Sequence, residues 1–453
     1  MSKKNKRVTL QSKEEDRISY LPDSLVQHIL SFLPSTKDAI HTTLLSKRWH
    51  NQWTRVPVLI FHSAGMPIKK FSRFVDYTLL LCDCSKIKKF HMQTGDNHHV
   101  QDFIWNIKIS FAIRKDVEEL ILDFRFNYLQ QYRLPEFLFK HASLVKLHTY
   151  DCNFVSMPNG SISWGNLKAL NIEHCHFPSK AIENILRGSP SLESLELVSN
   201  TSISDEYVIV SNSLKKLVLK DFWSVRLQIS CTNLEEFNLF GIFFTWNHPN
   251  LMNCPSLICA NVDFECDEVF MGVDIEIISH FQRVKELKFG SQFIKILSAL
   301  NLEGHLSPPL LNNKFLTLDR PNFEEHSGGI ECALHIYHVL EKLVIKLPFY
   351  KSQRTTNLPD LNDSGENYWN SNREVFDCLA SHLKIIEING LCESDDKCKY
   401  ILNFIEFLSA RVLEKLVVIL KDGGKDFVIQ VSKKLLDFPR CSQHATVKLL
   451  CSN

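Results

Sequence analysis

The chain has 453 residues, 44% hydrophobic and 23% charged, with 52 Lys and Arg against 51 Asp and Glu for a formal net charge of +1. That length exceeds one ordinary compact domain but suits a repeat array that grows by stacking. The near-neutral balance leaves no electrostatic footprint for nucleic acid, and no apolar run approaches the roughly 18 residues that span a bilayer, so neither nucleic acid nor membrane is expected as a partner.

Residues 1–15, MSKKNKRVTLQSKEE, carry Lys3, Lys4, Lys6 and Arg7 and no apolar stretch, and read as a disordered basic N-terminus. The 14 cysteines form no paired CxxC framework and read as reduced thiols of an intracellular chain, nuclear or cytoplasmic. The first ordered segment is residues 16–61. Pro22 suits the first turn of a helix, and Leu25, Ile29, Phe32 and Leu33 recur at helical spacing until Pro34 ends the run. Ser35 and Asp38 have capping-box spacing, and Ile40, Leu44 and Leu45 predict a second apolar stripe over residues 38–45. Ser46 is placed to cap a third helix, with Trp49 and Trp53 four apart on one face. Three short helices make a thin core, so the segment needs a partner.

Leu21-Pro22, the spaced Leu25, Ile29 and Leu33, and Leu45-Ser46-Lys47-Arg48-Trp49 resemble the F-box, and WTRVPVLIF at 53–61 is similar to the exit from the F-box in plant members. The resemblance implies a Skp-type adaptor and, through it, cullin and RING subunits. It also implies that Leu21, Pro22, Leu25, Ile29, Leu33 and Trp49 are the adaptor's anchors or their immediate support.

Beyond residue 61 the chain repeats. The pattern L-x-x-L-x-L, with other apolar residues allowed, appears as Ile87/Phe90/Met92, Val117/Leu120/Leu122, Leu144/Leu147/Thr149, Leu167/Leu170/Ile172, Leu192/Leu195/Leu197, Leu214/Leu217/Leu219, Leu234/Phe237/Leu239, Leu257/Ala260/Val262 and Val284/Leu287/Phe289. Most starts lie about 20 to 27 residues apart, the leucine-rich-repeat range. Cys152 and Phe154, Cys175 and Phe177, and Asn200 take the places that follow the strand. Past Gly290 the pattern is weaker: Phe315-Leu316-Thr317-Leu318 reads as a degenerate unit, and Leu340/Leu343/Ile345 restores the period.

Strand alternation turns the last two motif residues of each unit inward and sends their neighbours to a polar concave face. That face is predicted to carry Lys146, His148, Tyr150, Lys216, Lys220, Asn238 and Phe240 as possible target-binding residues, among acids such as Glu173 and Glu196. Returns on the convex side are predicted to be helical where Phe71, Phe74, Val75, Thr78, Leu79 and Cys82, and then Phe103, Ile104, Ile107 and Phe111, recur at helical spacing. His174-Cys175-His176 and the trio Cys332, His335 and His338 are the two groups with any resemblance to metal ligands, and both read better as structural positions; no metal or cofactor is expected.

The polar stretch 349–372 reads as a linker or exposed loop. After it come a helix around 373–381, strands at 383–388 and 413–420, and a helix over 397–409. His382 to Gly390, Val412 to Val418 and Phe438-Pro439-Arg440-Cys441-Ser442 resemble the FBD domain, here 373–453, which accompanies F-boxes and leucine-rich repeats in plant proteins. The expected fold is α/β: a three-helix F-box (16–61), then an irregular leucine-rich-repeat solenoid (62–348) with a parallel sheet and convex helices and loops, continued or capped by the FBD region. The resemblance implies the non-catalytic, substrate-recognition subunit of an SCF-type ubiquitin ligase, whose target is unknown. A non-degradative scaffold and a ligand-dependent receptor are the alternatives on the same fold. No P-loop, G-x-S-x-G, H-E-x-x-H or dinucleotide fingerprint suggests an enzyme.

Overall fold

The computed structural model describes residues 17–94, 102–125, 131–154, 157, 162–176, 180–199, 206–221, 226–242, 250–265, 278, 280–302, 311–323, 327–347, 369, 382–392, 398–409, 413–422, 424–438 and 446–451. The expected basic terminus, Phe177, Asn200, the helix at 373–381, Pro439 to Ser442 and all of the 349–372 stretch but Trp369 lie outside the described residues. The chain divides into two compact units, Met1–Gln130 and Gln131–Asn453.

The first unit opens with α1 (Asp23–Leu30) and α2 (Thr36–His41). Ser35 accepts from the Asp38 amide at 3.2 Å and its hydroxyl donates to the Asp38 carboxylate at 2.6 Å, which is the expected cap. The predicted third helix is instead two short 3-10 turns, Lys47–Trp49 and Gln52–Arg55. Ser46 makes no side-chain capping bond there. Both tryptophans still reach the core.

Strands β1 (Val58–His62), β2 (Lys89–Thr94) and β3 (Glu119–Phe124) then pair in parallel, joined by α3 (Ile68–Leu81) and α4 (Asp102–Arg114). Their register stacks Leu59, Phe90 and Leu120, then Phe61, Met92 and Leu122, all buried. Helix α3 buries Phe71, Val75, Thr78 and Leu79 as its spacing predicts. Helix α4 corrects the reading: Trp105, Lys108, Ile109 and Ala112 face inward, while Phe103 and Ile107 are exposed. The helix is apolar on several sides, so spacing could not choose the face. Trp105 does, by packing between Phe71 (6.2 Å between ring centres) and Phe124 (5.6 Å).

The second unit contains β4 (Tyr132–Arg133), β5 (Lys146–Tyr150), β6 (Cys152–Asn153), β7 (Ala169–Glu173), α5 (Ala181–Gly188), β8 (Ser194–Val198), β9 (Glu206–Ser211), β10 (Lys216–Lys220), β11 (Arg226–Cys231), β12 (Glu236–Ile242), β13 (Asn250–Leu251) and β14 (Cys259–Glu265). It continues with β15 (Glu286–Gly290), α6 (Ser291–Leu302), β16 (Phe315–Asp319), α7 (Ser327–His335), β17 (Lys342–Lys346), β18 (Ile385–Cys392), α8 (Cys398–Ser409), β19 (Lys415–Asp422), α9 (Lys425–Asp437) and β20 (Thr446–Cys451). The parallel order β5-β7-β8-β10-β12-β14-β15-β16-β17-β18-β19-β20 follows the chain, skipping only the strands of the returns. Each unit therefore pairs with the next.

Register places the motif residues in two buried columns. One runs Leu147, Leu170, Leu195, Leu217, Phe237, Ala260 and Leu287; the other runs Thr149, Ile172, Leu197, Leu219, Leu239, Val262 and Phe289. Leu316 and Leu318 continue both columns without a shift, and the unit is degenerate only at its first position, where buried Asn313 replaces the usual apolar residue. The region resembling FBD extends the same sheet through β18, β19 and β20.

A turn repeats with the strands. Asp151, His174, Ser199, Asp221 and Gly241 occupy equivalent positions at the strand ends, all with positive φ. The first four donate their amides to the next unit at 2.9, 2.9, 2.7 and 3.0 Å, which offsets a left-handed backbone that costs a non-glycine residue roughly 1–2 kcal/mol. The returns are not only helices and loops. β9, β11 and β13 form a second parallel sheet there, because Tyr207 and Ile209, then Leu227, Ile229 and Cys231, alternate inward with strand periodicity.

Candidate functional site

Two surfaces carry the expected site residues, and each belongs to its own unit. In the first, adjacent apolar residues compete for one interior. Val26 (1% exposed) and Leu30 enter a core with Ala39, Trp49, Trp53 and Val56, so Leu25 (47%) and Ile29 (46%) are left on the outer face of α1. Phe32, Leu44 and Leu45 are also exposed, as are Ile18 and Tyr20. The predicted stripe of Ile40, Leu44 and Leu45 therefore splits: Ile40 packs on the core, and the two leucines, beyond the end of α2, do not.

Among the expected anchors, Leu25, Ile29 and Pro22 lie at the surface, whereas Leu21 and Leu33 are half-buried against the core. Trp49 is buried in the core of the module rather than on this face. Phe32, Leu44 and Leu45 add to the same exposed apolar surface; they lie beyond the ends of α1 and α2, where helical spacing gives no face. Polar ties brace the module. Arg48 binds Asp23 at 2.9 Å and also donates to the Leu21 carbonyl, Gln27 binds Gln52 at 3.0 Å, and Thr36 Oγ1 accepts from the Ile60 amide at 2.7 Å. The guanidinium of Arg48 holds the Asp23 carboxyl below the usual carboxylate range.

The second surface is the polar face of the β5–β15 sheet. It carries Lys146, His148, Tyr150, Lys216, Lys220, Asn238 and Phe240 on alternate strand positions, as the motif predicts. The lysines are not equivalent. Lys216 lies 3.7 Å from Glu196 and 3.6 Å from Glu236, and Lys288 lies 2.7 Å from Asp319, so their charge is met within the sheet. Lys146 and Lys220 are exposed, and among the described residues no carboxylate pairs with either. Asn238 is 7% exposed and donates to Glu236 at 2.7 Å, which makes it a brace rather than an open contact.

His148 lies 3.2 Å from Glu173 and holds that carboxyl below its ordinary range, while Asn171 donates to Glu173 at 2.9 Å and Glu196 at 3.4 Å. Tyr150 packs on His174 at 4.9 Å. Such partly exposed pairs contribute little stability, about 0–1 kcal/mol each, but they set which charges remain available. Neither group with a resemblance to metal ligands is assembled: Cys175 is buried and donates to the Glu173 carbonyl at 3.0 Å. Among the described residues, no three His, Cys, Asp or Glu side chains are placed to hold a metal ion, and no helix is long and apolar enough to cross a membrane.

Comparison with known proteins finds a family match in each part of the chain. The F-box domain family matches residues 18–61, and the family described as "FBD-associated F-box protein At5g56370, LRR repeats" matches 109–251. The putative F-box/LRR-repeat protein At5g02930 of Arabidopsis thaliana is 30% identical over 402 residues, covering 83% of this chain and 77% of the relative. F-box/LRR-repeat protein At5g02910 of the same plant is 29% identical over 427 residues, 90% of this chain and 89% of the relative. F-box/LRR-repeat protein 25, also from that plant, is 32% identical over 206 residues, 45% of this chain and 74% of the relative. With its exposed apolar helix face and stacked parallel repeats, this chain belongs to the F-box/LRR-repeat family.

Proposed function

We propose that this chain is the substrate-recognition subunit of an SCF-type cullin-RING ubiquitin ligase, binding a Skp-type adaptor through residues 16–61 and a target protein through the polar face of the repeats. The observation that carries this reading is an apolar surface on a module whose own core is already closed. Leu25, Ile29, Phe32, Leu44 and Leu45 are exposed although Val26, Leu30, Trp49 and Trp53 fill the interior. At about 1.5–3 kcal/mol for each fully buried Leu or Ile, a few of these suffice for a specific complex.

The chemistry is supplied elsewhere in the assembly. A target lysine held near a charged ubiquitin thioester reacts through proximity, and the chain that holds it contributes position rather than a nucleophile. The test is reconstitution of the full chain with a Skp-type adaptor, cullin, RING protein and ubiquitin-conjugating enzyme. Targets are taken from affinity capture with the proteasome blocked. Ubiquitin transfer to a captured protein that depends on this chain is the expected result. A chain that forms no complex with any Skp-type adaptor overturns the reading.

A further inference from the structure

The segment that leaves α3 carries two thiols outside both surfaces. Cys82 caps the C-terminus of α3 and Cys84 follows across a single residue, with their Sγ atoms 2.9 Å apart. That separation is roughly 0.9 Å longer than a disulfide of about 2.04 Å, so bond formation requires only a small closing movement of the turn. Cys84 is buried and Cys82 is half-buried, giving the pair one accessible sulfur and one sheltered sulfur.

The residue between them holds the turn in place. The Asp83 amide donates to the Thr54 carbonyl at 2.8 Å, and the Asp83 carboxylate meets Arg55 at 3.3 Å. Both partners belong to the last 3-10 turn of the F-box segment. The dithiol therefore sits where the F-box joins the first repeats, within the first unit.

We propose that Cys82 and Cys84 form a redox-modification site that takes hydrogen peroxide, with Cys82 as the attacking sulfur and Cys84 as the resolving one. The Cys82 thiolate attacks one peroxide oxygen and the O–O bond breaks, leaving a sulfenic acid on Cys82 and a hydroxide that takes up the thiol proton to become water. The Cys84 sulfur then attacks Cys82 Sγ, the S–O bond breaks, and the departing hydroxide leaves as water with the Cys84 proton. Two thiols lose two electrons in all, and the peroxide is reduced to two waters.

Accessibility assigns the roles, because Cys82 is half-buried and Cys84 is buried. The hydrogen bond shared by the two sulfurs lowers one thiol and, with burial, raises the other, and the Lys115 charge favours a thiolate on either. Elsewhere burial pushes the Cys231 and Cys332 thiols up to about 12, so they are slow to ionise and to react.

The test uses hydrogen peroxide on the reduced full chain, followed by alkylation of remaining thiols and peptide mass spectrometry. The peptide holding Cys82 and Cys84 should lose two hydrogens and resist alkylation, at least roughly tenfold faster than Cys231 or Cys332 is oxidised. Cys84→Ser should stop at a sulfenic acid on Cys82 that a dimedone probe captures, and Cys82→Ser should leave Cys84 alkylatable. Complete alkylation of both wild-type thiols after peroxide is consumed overturns the proposal. So does over-oxidation of Cys82 beside a free Cys84. Melting curves establish that each serine variant is folded, and if one is not, the wild-type mass alone decides.

Discussion

Leu25→Ala with Ile29→Ala, set against Val26→Ala, separates binding from folding on one helix. Leu25 and Ile29 are 47% and 46% exposed, whereas Val26 is 1% exposed. A fully buried Leu or Ile contributes about 1.5–3 kcal/mol, so about half of that, roughly 0.7–1.5 kcal/mol each, is left for a partner to bury. The double variant should lose about 1.5–3 kcal/mol of adaptor binding, or roughly 10- to 150-fold in Kd, at 1.4 kcal/mol per tenfold. Its melting temperature should stay near that of the parent. Val26→Ala should do the opposite, destabilising the module by about 2 kcal/mol through a core cavity while leaving the affinity of the folded fraction unchanged. Calorimetric titration with a Skp-type adaptor and thermal unfolding by circular dichroism supply the two readouts. A double variant that binds as tightly as the parent yet melts much lower would refute the assignment of this face.

Three further outcomes follow from the packing. Gly241→Ala should destabilise the repeats by about 1–3 kcal/mol in chemical denaturation, because φ is +80° there and a Cβ would stand 2.0 Å from Asp221 Oδ1; Gly165→Ala, with nothing within 4 Å, should be near neutral. Lys108 is buried against Trp105 and binds the more exposed Asp76 at 2.7 Å, so Lys108→Met should keep the packing and change stability by less than about 1 kcal/mol, whereas Lys108→Ala should cost about 2 kcal/mol. The third concerns Glu173, whose carboxyl His148 holds low in the folded state. Its contribution is complete above the unfolded value, about 4.3, and is lost as pH falls through the lower folded value. The stability difference between parent and Glu173→Gln should therefore shrink on acidification below about pH 4; a difference that grows instead would exclude this pairing as its source.

Oxidation at Cys82 and Cys84 would alter the turn that Asp83 ties to Thr54 and Arg55, so the same residues connect redox state to the seat of the F-box. Hydrogen exchange at the Asp83 amide compares the dithiol and disulfide forms at that bond.

Alternation along a strand is a local property, and for that reason the repeats were legible. Leu147, Leu170, Leu195 and Leu217 point inward because each stands two residues from another inward position, and the same rule placed Lys146, His148 and Lys220 on the polar face. The capping pair Ser35 and Asp38 was equally local. The second sheet of β9, β11 and β13 was also written locally, as Tyr207-Val208-Ile209 and Leu227-Gln228-Ile229, but the strong leucine period of the main strands masked it.

Tertiary structure decided the choices among neighbours. Ile29 beside Leu30, and Phe103 two residues from Trp105, are all apolar, and only the volume available beneath each helix selects which is buried. It also decided the charge left on the polar face, because Lys216 is neutralised by Glu196 and Glu236 from neighbouring strands while Lys220 is not. Sequence by itself determined the repeat and its inward columns, since those depend on residues a few positions apart. Which apolar side chains and which charges remain for partners depends on residues brought together from distant parts of the chain, and only the fold could settle that.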